Sequence, residues 1–101
     1  MKRKNGFRLA VGTGLAVALL LGGAGAANAT TVQAGGGTWT YDVDYLNTGV
    51  AYSNYFHTKK SHGSTACSRD ACVRSDTVPS GRWSYARVKA TAGGNTAYWR
   101  V

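Results

Sequence analysis

The chain has 101 residues, 12 Lys and Arg against four Asp, no Glu, and a formal net charge of +8. That length leaves room for a single small domain, and so few carboxylates leave little material for acid–base or glycosidase chemistry. The basic residues are scattered rather than clustered in runs, which argues against a nucleic-acid-binding arm.

The N-terminus reads as an export signal. Lys2, Arg3, Lys4 and Arg8 precede an apolar run over Leu9–Leu21, broken only by Gly12, Thr13 and Gly14. Ala27-Asn28-Ala29 then supplies the small-x-small pattern of a cleavage site, so residues 1–29 are expected to be a signal peptide. The run to Ala27 is nominally long enough to span a bilayer. It is rich in Gly and Ala, however, and no positive stop-transfer charges follow it, so stable membrane insertion is not expected. Cleavage leaves residues 30–101, with eight basic residues against Asp42, Asp44, Asp70 and Asp76, a net +4. An exported protein of this charge suits anionic components of the cell envelope better than nucleic acid.

Residues 30–37, with three successive glycines, read as a flexible leader, because glycine is entropically costly to order. The folded domain is expected over 38–101. From Thr38 to Tyr45, Trp39, Tyr41, Val43 and Tyr45 alternate with polar residues, the period of a half-buried strand. Asn47-Thr48-Gly49 is turn material, and a second strand covers Val50–His57. Thr58–Gly63 forms a loop, and Ser64–Ser68 and Ala71–Asp76 form a hairpin. Pro79-Ser80-Gly81 interrupts the chain. Over Arg82–Thr91, Trp83, Tyr85, Arg87 and Lys89 share one face, and Ser84, Ala86, Val88 and Ala90 share the other. Gly93-Gly94-Asn95 turns the chain into a last strand over Thr96–Val101. No apolar repeat at helical spacing occurs after residue 30. The fold class is therefore all-β, with about six short strands most economically packed as a sandwich of two antiparallel sheets. A domain this small buries only about 60% of its unfolded surface, so the large aromatics, Trp39 and Trp83 among them, are expected in its core.

Cys67 and Cys72 enclose four residues. An even cysteine count in an exported chain, at a spacing that suits a tight hairpin, points to a disulfide. His57, His62, Cys67 and Cys72 recur every five residues. That interval is odd, so it alternates faces on a strand, and it matches no familiar zinc pattern. The histidines are expected at the exposed edge of a basic turn, and neither a metal nor another cofactor is implied.

Catalysis finds little support, since Asp42 and Asp44 share the polar face of an ordinary strand and no motif orders a Ser–His–Asp set. Surface recognition fits better. Trp and Tyr offer flat faces with a hydrogen-bonding tip, and Lys and Arg pair with phosphate. The candidate ligand-binding residues are Tyr52, Asn54, His57, Lys59, Lys60 and His62 around the basic turn, with Tyr98, Trp99 and Arg100 in the last strand. They suit a ligand that is part sugar and part phosphate.

Four segments carry a family resemblance: GGTW at 36–39, AYSNYFHTKKSHGSTA at 51–66, GRWSYARVKAT at 81–91 and AYW at 97–99. In that order they resemble the lactococcin 972 family of secreted bacteriocins, and they cover most of residues 36–101. The resemblance implies a cleaved signal peptide, a β-sandwich of two antiparallel sheets, and inhibition of septum formation by binding the cell-wall precursor lipid II rather than by forming pores. The Cys67–Cys72 pair departs from the family pattern. A secreted envelope- or glycan-binding module without killing activity is the alternative.

Overall fold

The structure, a computed structural model, describes residues 16–20 and 29–101. The expected signal peptide and its cleavage lie largely outside the described residues. All regular structure among the described residues is β: β1 (Ala16–Leu20), β2 (Thr30–Ala34), β3 (Gly37–Asp44), β4 (Val50–Phe56), β5 (Gly63–Cys67), β6 (Cys72–Arg74), β7 (Trp83–Lys89) and β8 (Asn95–Arg100). The strands from residue 30 onward form two antiparallel sheets, one of four strands in the order β2-β3-β4-β7 and one of three in the order β8-β5-β6. β1 pairs antiparallel with β8 and extends the second sheet to four.

The alternation expected over Thr38–Tyr45 holds at Trp39 and Val43, while Tyr41 is half-buried and Tyr45 lies beyond the strand and is exposed. Trp39 and Val43 point inward and are buried, while Thr38, Thr40, Asp42 and Asp44 occupy the outer face. The stretch 30–37 differs from the flexible leader expected of it. Thr30–Ala34 is a strand in register with β3, Val32 opposite Trp39. The glycines that suggested disorder make its turn: Gly35 and Gly36 have φ of 60° and 85°, the left-handed pair that a two-residue hairpin requires.

The two sheets meet over Trp39, Val43, Ala51, Tyr55, Ala97 and Trp99. Tyr55 and Trp99 stack across the sandwich with ring centroids 5.2 Å apart. Small residues fill much of the remaining interface, with Ser53, Ser64, Ser84, Ala66 and Ala86 all buried. Their hydroxyls connect the layers. Trp39 Nε1 donates to Ser53 Oγ at 2.8 Å, and Ser53 Oγ donates to the Tyr98 carbonyl in the facing sheet at 2.8 Å. Ser64 and Ser84 hydroxyls lie 2.9 Å apart across the interface, and Ser84 Oγ donates to the Tyr55 carbonyl. Every such bond satisfies a group that would be costly to bury alone.

The β5–β6 hairpin carries the disulfide. Cys67 and Cys72 face each other in register, with Cα atoms 4.0 Å apart, and are bonded. Ser68 closes the intervening loop: its hydroxyl accepts from the amides of Asp70 and Ala71, and its own amide donates to the Ala71 carbonyl.

Candidate functional site

The basic turn is built on two imidazoles. His57 and His62, expected to be exposed, are 4% and 1% exposed, with ring centroids 6.2 Å apart. The loop folds back on itself, which brings together two side chains that a straight strand would have pointed apart. His57 Nδ1 accepts the amides of Lys59 and Lys60, each at 3.0 Å. That leaves Nε2–H to donate to the Gly35 carbonyl at 3.2 Å. The His62 ring lies between two carbonyls, Lys60 O at 2.7 Å from Nδ1 and Arg82 O at 2.6 Å from Nε2. Backbone bonds between His62 and Val78, and from the Gly81 amide to the His57 carbonyl, tie the loop to the segment that precedes β7. The histidines thus serve as braces. What they brace is an exposed tetrad, Thr58, Lys59, Lys60 and Ser61.

The last strand turns largely inward. Trp99 is core, 6% exposed and stacked on Tyr55. Arg100 lies over Gly63, where its guanidinium leaves no room for a Cβ, and donates to the carbonyls of Ser64 and Ser75. Burial, and next the nearby Arg74, lower its pKa to about 10. Tyr98 lies on the outer face of its sheet and accepts from Thr96 Oγ1. Trp99 therefore belongs to the core, and the half-buried Arg100 uses its guanidinium to tie β8 to Ser64 and Ser75.

Tyr52 and Asn54 belong to a different surface, the outer face of the four-stranded sheet. The register places Thr38, Phe56 and Trp83 in one row and Thr40, Asn54 and Tyr85 in the next. Asp42, Tyr52 and Arg87 form a third row, and Asp44, Val50 and Lys89 a fourth. Trp83, expected in the core, is 37% exposed here, and Tyr85 is 62% exposed. The reason lies on the other side of β7, where Ser84 and Ala86 face inward because the sheets approach closely and leave no space for an indole. Phe56 and Trp83 lean on one another at 5.4 Å. Burial raises the pKa of the Tyr52 phenol, and Asp42 and Asp44 add to the shift while Arg87 opposes it. Asn54 Oδ1 is covered and has no hydrogen-bond partner. Because Phe56 runs into His57, and Arg82 precedes Trp83, the basic turn adjoins the Phe56–Trp83 end of this face. Phe56, Trp83, Tyr85 and Arg87 were missing from the sequence-derived site. The signal for three of them was the strict alternation of 83–89, which left open which side was inside.

Among the described residues, no three His, Cys, Asp or Glu side chains gather as a metal site would require. The bacteriocin family model Lactococcin 972 matches residues 35–99, more than half the chain. The protein belongs to this family. No curated relative and no solved structure matches it. The lactococcin 972 match begins at the Gly35 turn and ends at Trp99. It therefore takes in the braced lysine loop and the whole β4–β7 part of the open face, and the chain is a bacteriocin-like antimicrobial protein with a disulfide-closed β-sandwich.

Proposed function

We propose that the protein is secreted after cleavage behind Ala29, binds lipid II outside the cell, and blocks septum formation in susceptible bacteria. It acts as a binding protein and not as an enzyme. One observation carries the reading: within a bacteriocin family, the chain spends two buried histidines on holding Lys59 and Lys60 in the open. A loop that was merely a connection would not require such bracing. Two adjacent lysines on a braced backbone suit a pyrophosphate, for which lysine serves as a point charge.

The test uses residues 30–101. The protein should inhibit growth of a sensitive strain, purified lipid II added to the medium should relieve the inhibition, and Lys59→Ala/Lys60→Ala should weaken binding while leaving the melting temperature unchanged. Binding should also fall with added salt, since exposed charges are screened over about 8 Å at physiological ionic strength. A double variant that binds and inhibits like the wild type rules out the lysine loop as the contact.

A further inference from the structure

We infer that the outer face of β3, β4 and β7 is a second binding surface, for a neutral linear glycan of N-acetylated hexosamines, separate from the lysine loop. It does not depend on the pyrophosphate reading.

Three observations define the occupant. The first is shape and chemistry. The face is a continuous antiparallel platform with Phe56, Trp83 and Tyr85 at one end, Tyr52 further along, and Thr38, Thr40 and Asn54 between and beside them. Flat aromatic faces interleaved with short hydrogen-bonding side chains match a sugar ring, which has one apolar face and polar groups at its rim. Successive outward residues recur about every 6.8 Å along a strand, so Trp83 to Lys89 offers about 20 Å of track, enough for a chain and more than a single sugar needs.

The second is charge. The far rows set Asp42 against Arg87 and Asp44 against Lys89, across Tyr52 and Val50. The platform is balanced, whereas the loop beside it carries Lys59 and Lys60 with no carboxylate of its own. A neutral polymer suits the platform. A phosphate-rich surface such as an anionic membrane suits only the loop.

The third is incomplete satisfaction. Contiguous apolar patches are uncommon on a monomer surface without a partner, and Phe56, Trp83 and Tyr85 lie in adjoining rows with Trp83 and Tyr85 exposed. Beside them, Asn54 Oδ1 is one of two buried side-chain polar atoms without a hydrogen bond among the described residues. An acetamido N–H is a donor of the kind it lacks.

The three tryptophans make the test direct. Trp39 and Trp99 are 4% and 6% exposed, so collisional quenching by acrylamide reports chiefly on Trp83. The probe is a soluble β-1,4-linked N-acetylglucosamine hexamer, added to the protein as recovered from the medium. It should protect the fluorescence from quenching, and calorimetry should give the same affinity. Tyr85→Ala removes an exposed ring and should weaken hexamer binding about tenfold. Lys59→Ala/Lys60→Ala should leave hexamer binding unchanged even where it abolishes binding to undecaprenyl pyrophosphate vesicles, which separates the failure of one site from the failure of the other. The inference is overturned by any of three results: no hexamer binding by either method, binding indifferent to Tyr85→Ala and Trp83→Ala, or sedimentation showing that a second copy of the chain already covers Trp83.

Discussion

Ser53→Ala tests the hydroxyl link between the sheets. Ser53 is fully buried, and its oxygen takes the Trp39 indole N–H and passes a hydrogen to the Tyr98 carbonyl, both at 2.8 Å. Alanine leaves the indole donor inside the sandwich with nothing to bond. The space vacated is one oxygen, too small for a water to enter and repair the loss. An orphaned buried donor costs about 1–3 kcal/mol, so a loss near 2 kcal/mol should lower the melting temperature by roughly 8–16 °C in a domain of this size. Thermal and urea denaturation followed by circular dichroism, with the disulfide intact, measures it. Trp39→Phe removes the donor as well as indole volume, so the double variant should cost less than the sum of the singles by about 1–2 kcal/mol. A Ser53→Ala change within about 0.5 kcal/mol of wild type, or strictly additive single changes, refutes the argument.

Burial holds the Tyr55 phenol well above its ordinary value of 10.0, with the Gly37 backbone hydrogen bond working weakly against this. The unfolded chain therefore releases that proton first, so stability is complete below about pH 10 and falls as the pH rises beyond it. Urea midpoints at about pH 9 and about pH 11 should show the fall, and Tyr55→Phe should reduce it; equal falls in both proteins would contradict the assignment. The Cys67–Cys72 bond closes only a short loop in the unfolded chain, so its reduction should cost about 2 kcal/mol without unfolding the domain at room temperature, as read from denaturation with and without a phosphine reductant. Gly35→Ala places a methyl in the Trp99 ring at a positive φ. It should destabilise the domain by about 3 kcal/mol or more, and a near-neutral result would mean that the β2–β3 turn is not fixed as described.

The strands were legible wherever large and small residues alternate, because a period of two is written directly into the chain. Gly37–Asp44 and Val50–Phe56 fall within a residue or so of their expected bounds. Which side of a strand faces inward was not legible where the interior is narrow. On β7 the bulky residues face out and Ser84 and Ala86 face in, so size pointed the wrong way for Trp83. The hairpin disulfide followed from the even cysteine count of an exported chain together with the four-residue spacing. The histidines were misplaced for a different reason: their burial depends on carbonyls of Gly35 and Arg82, far away in sequence, and local pattern cannot register such partners. Of the site itself, Lys59, Lys60, Tyr52 and Asn54 were found as surface residues, while Trp99 and Arg100 looked alike on paper but belong to the frame.

The hydroxyl-linked interior has a bearing on the protein's tolerance of acid. Acid usually unfolds proteins by protonating carboxylates that the native state depends on. Here the bonds between the sheets run through serine hydroxyls, an indole and backbone carbonyls, and none of the four aspartates lies in the core. The sandwich thus has little for acid to attack. In an acidified medium the frame would persist, because protonating the four aspartates breaks none of the bonds that join the sheets.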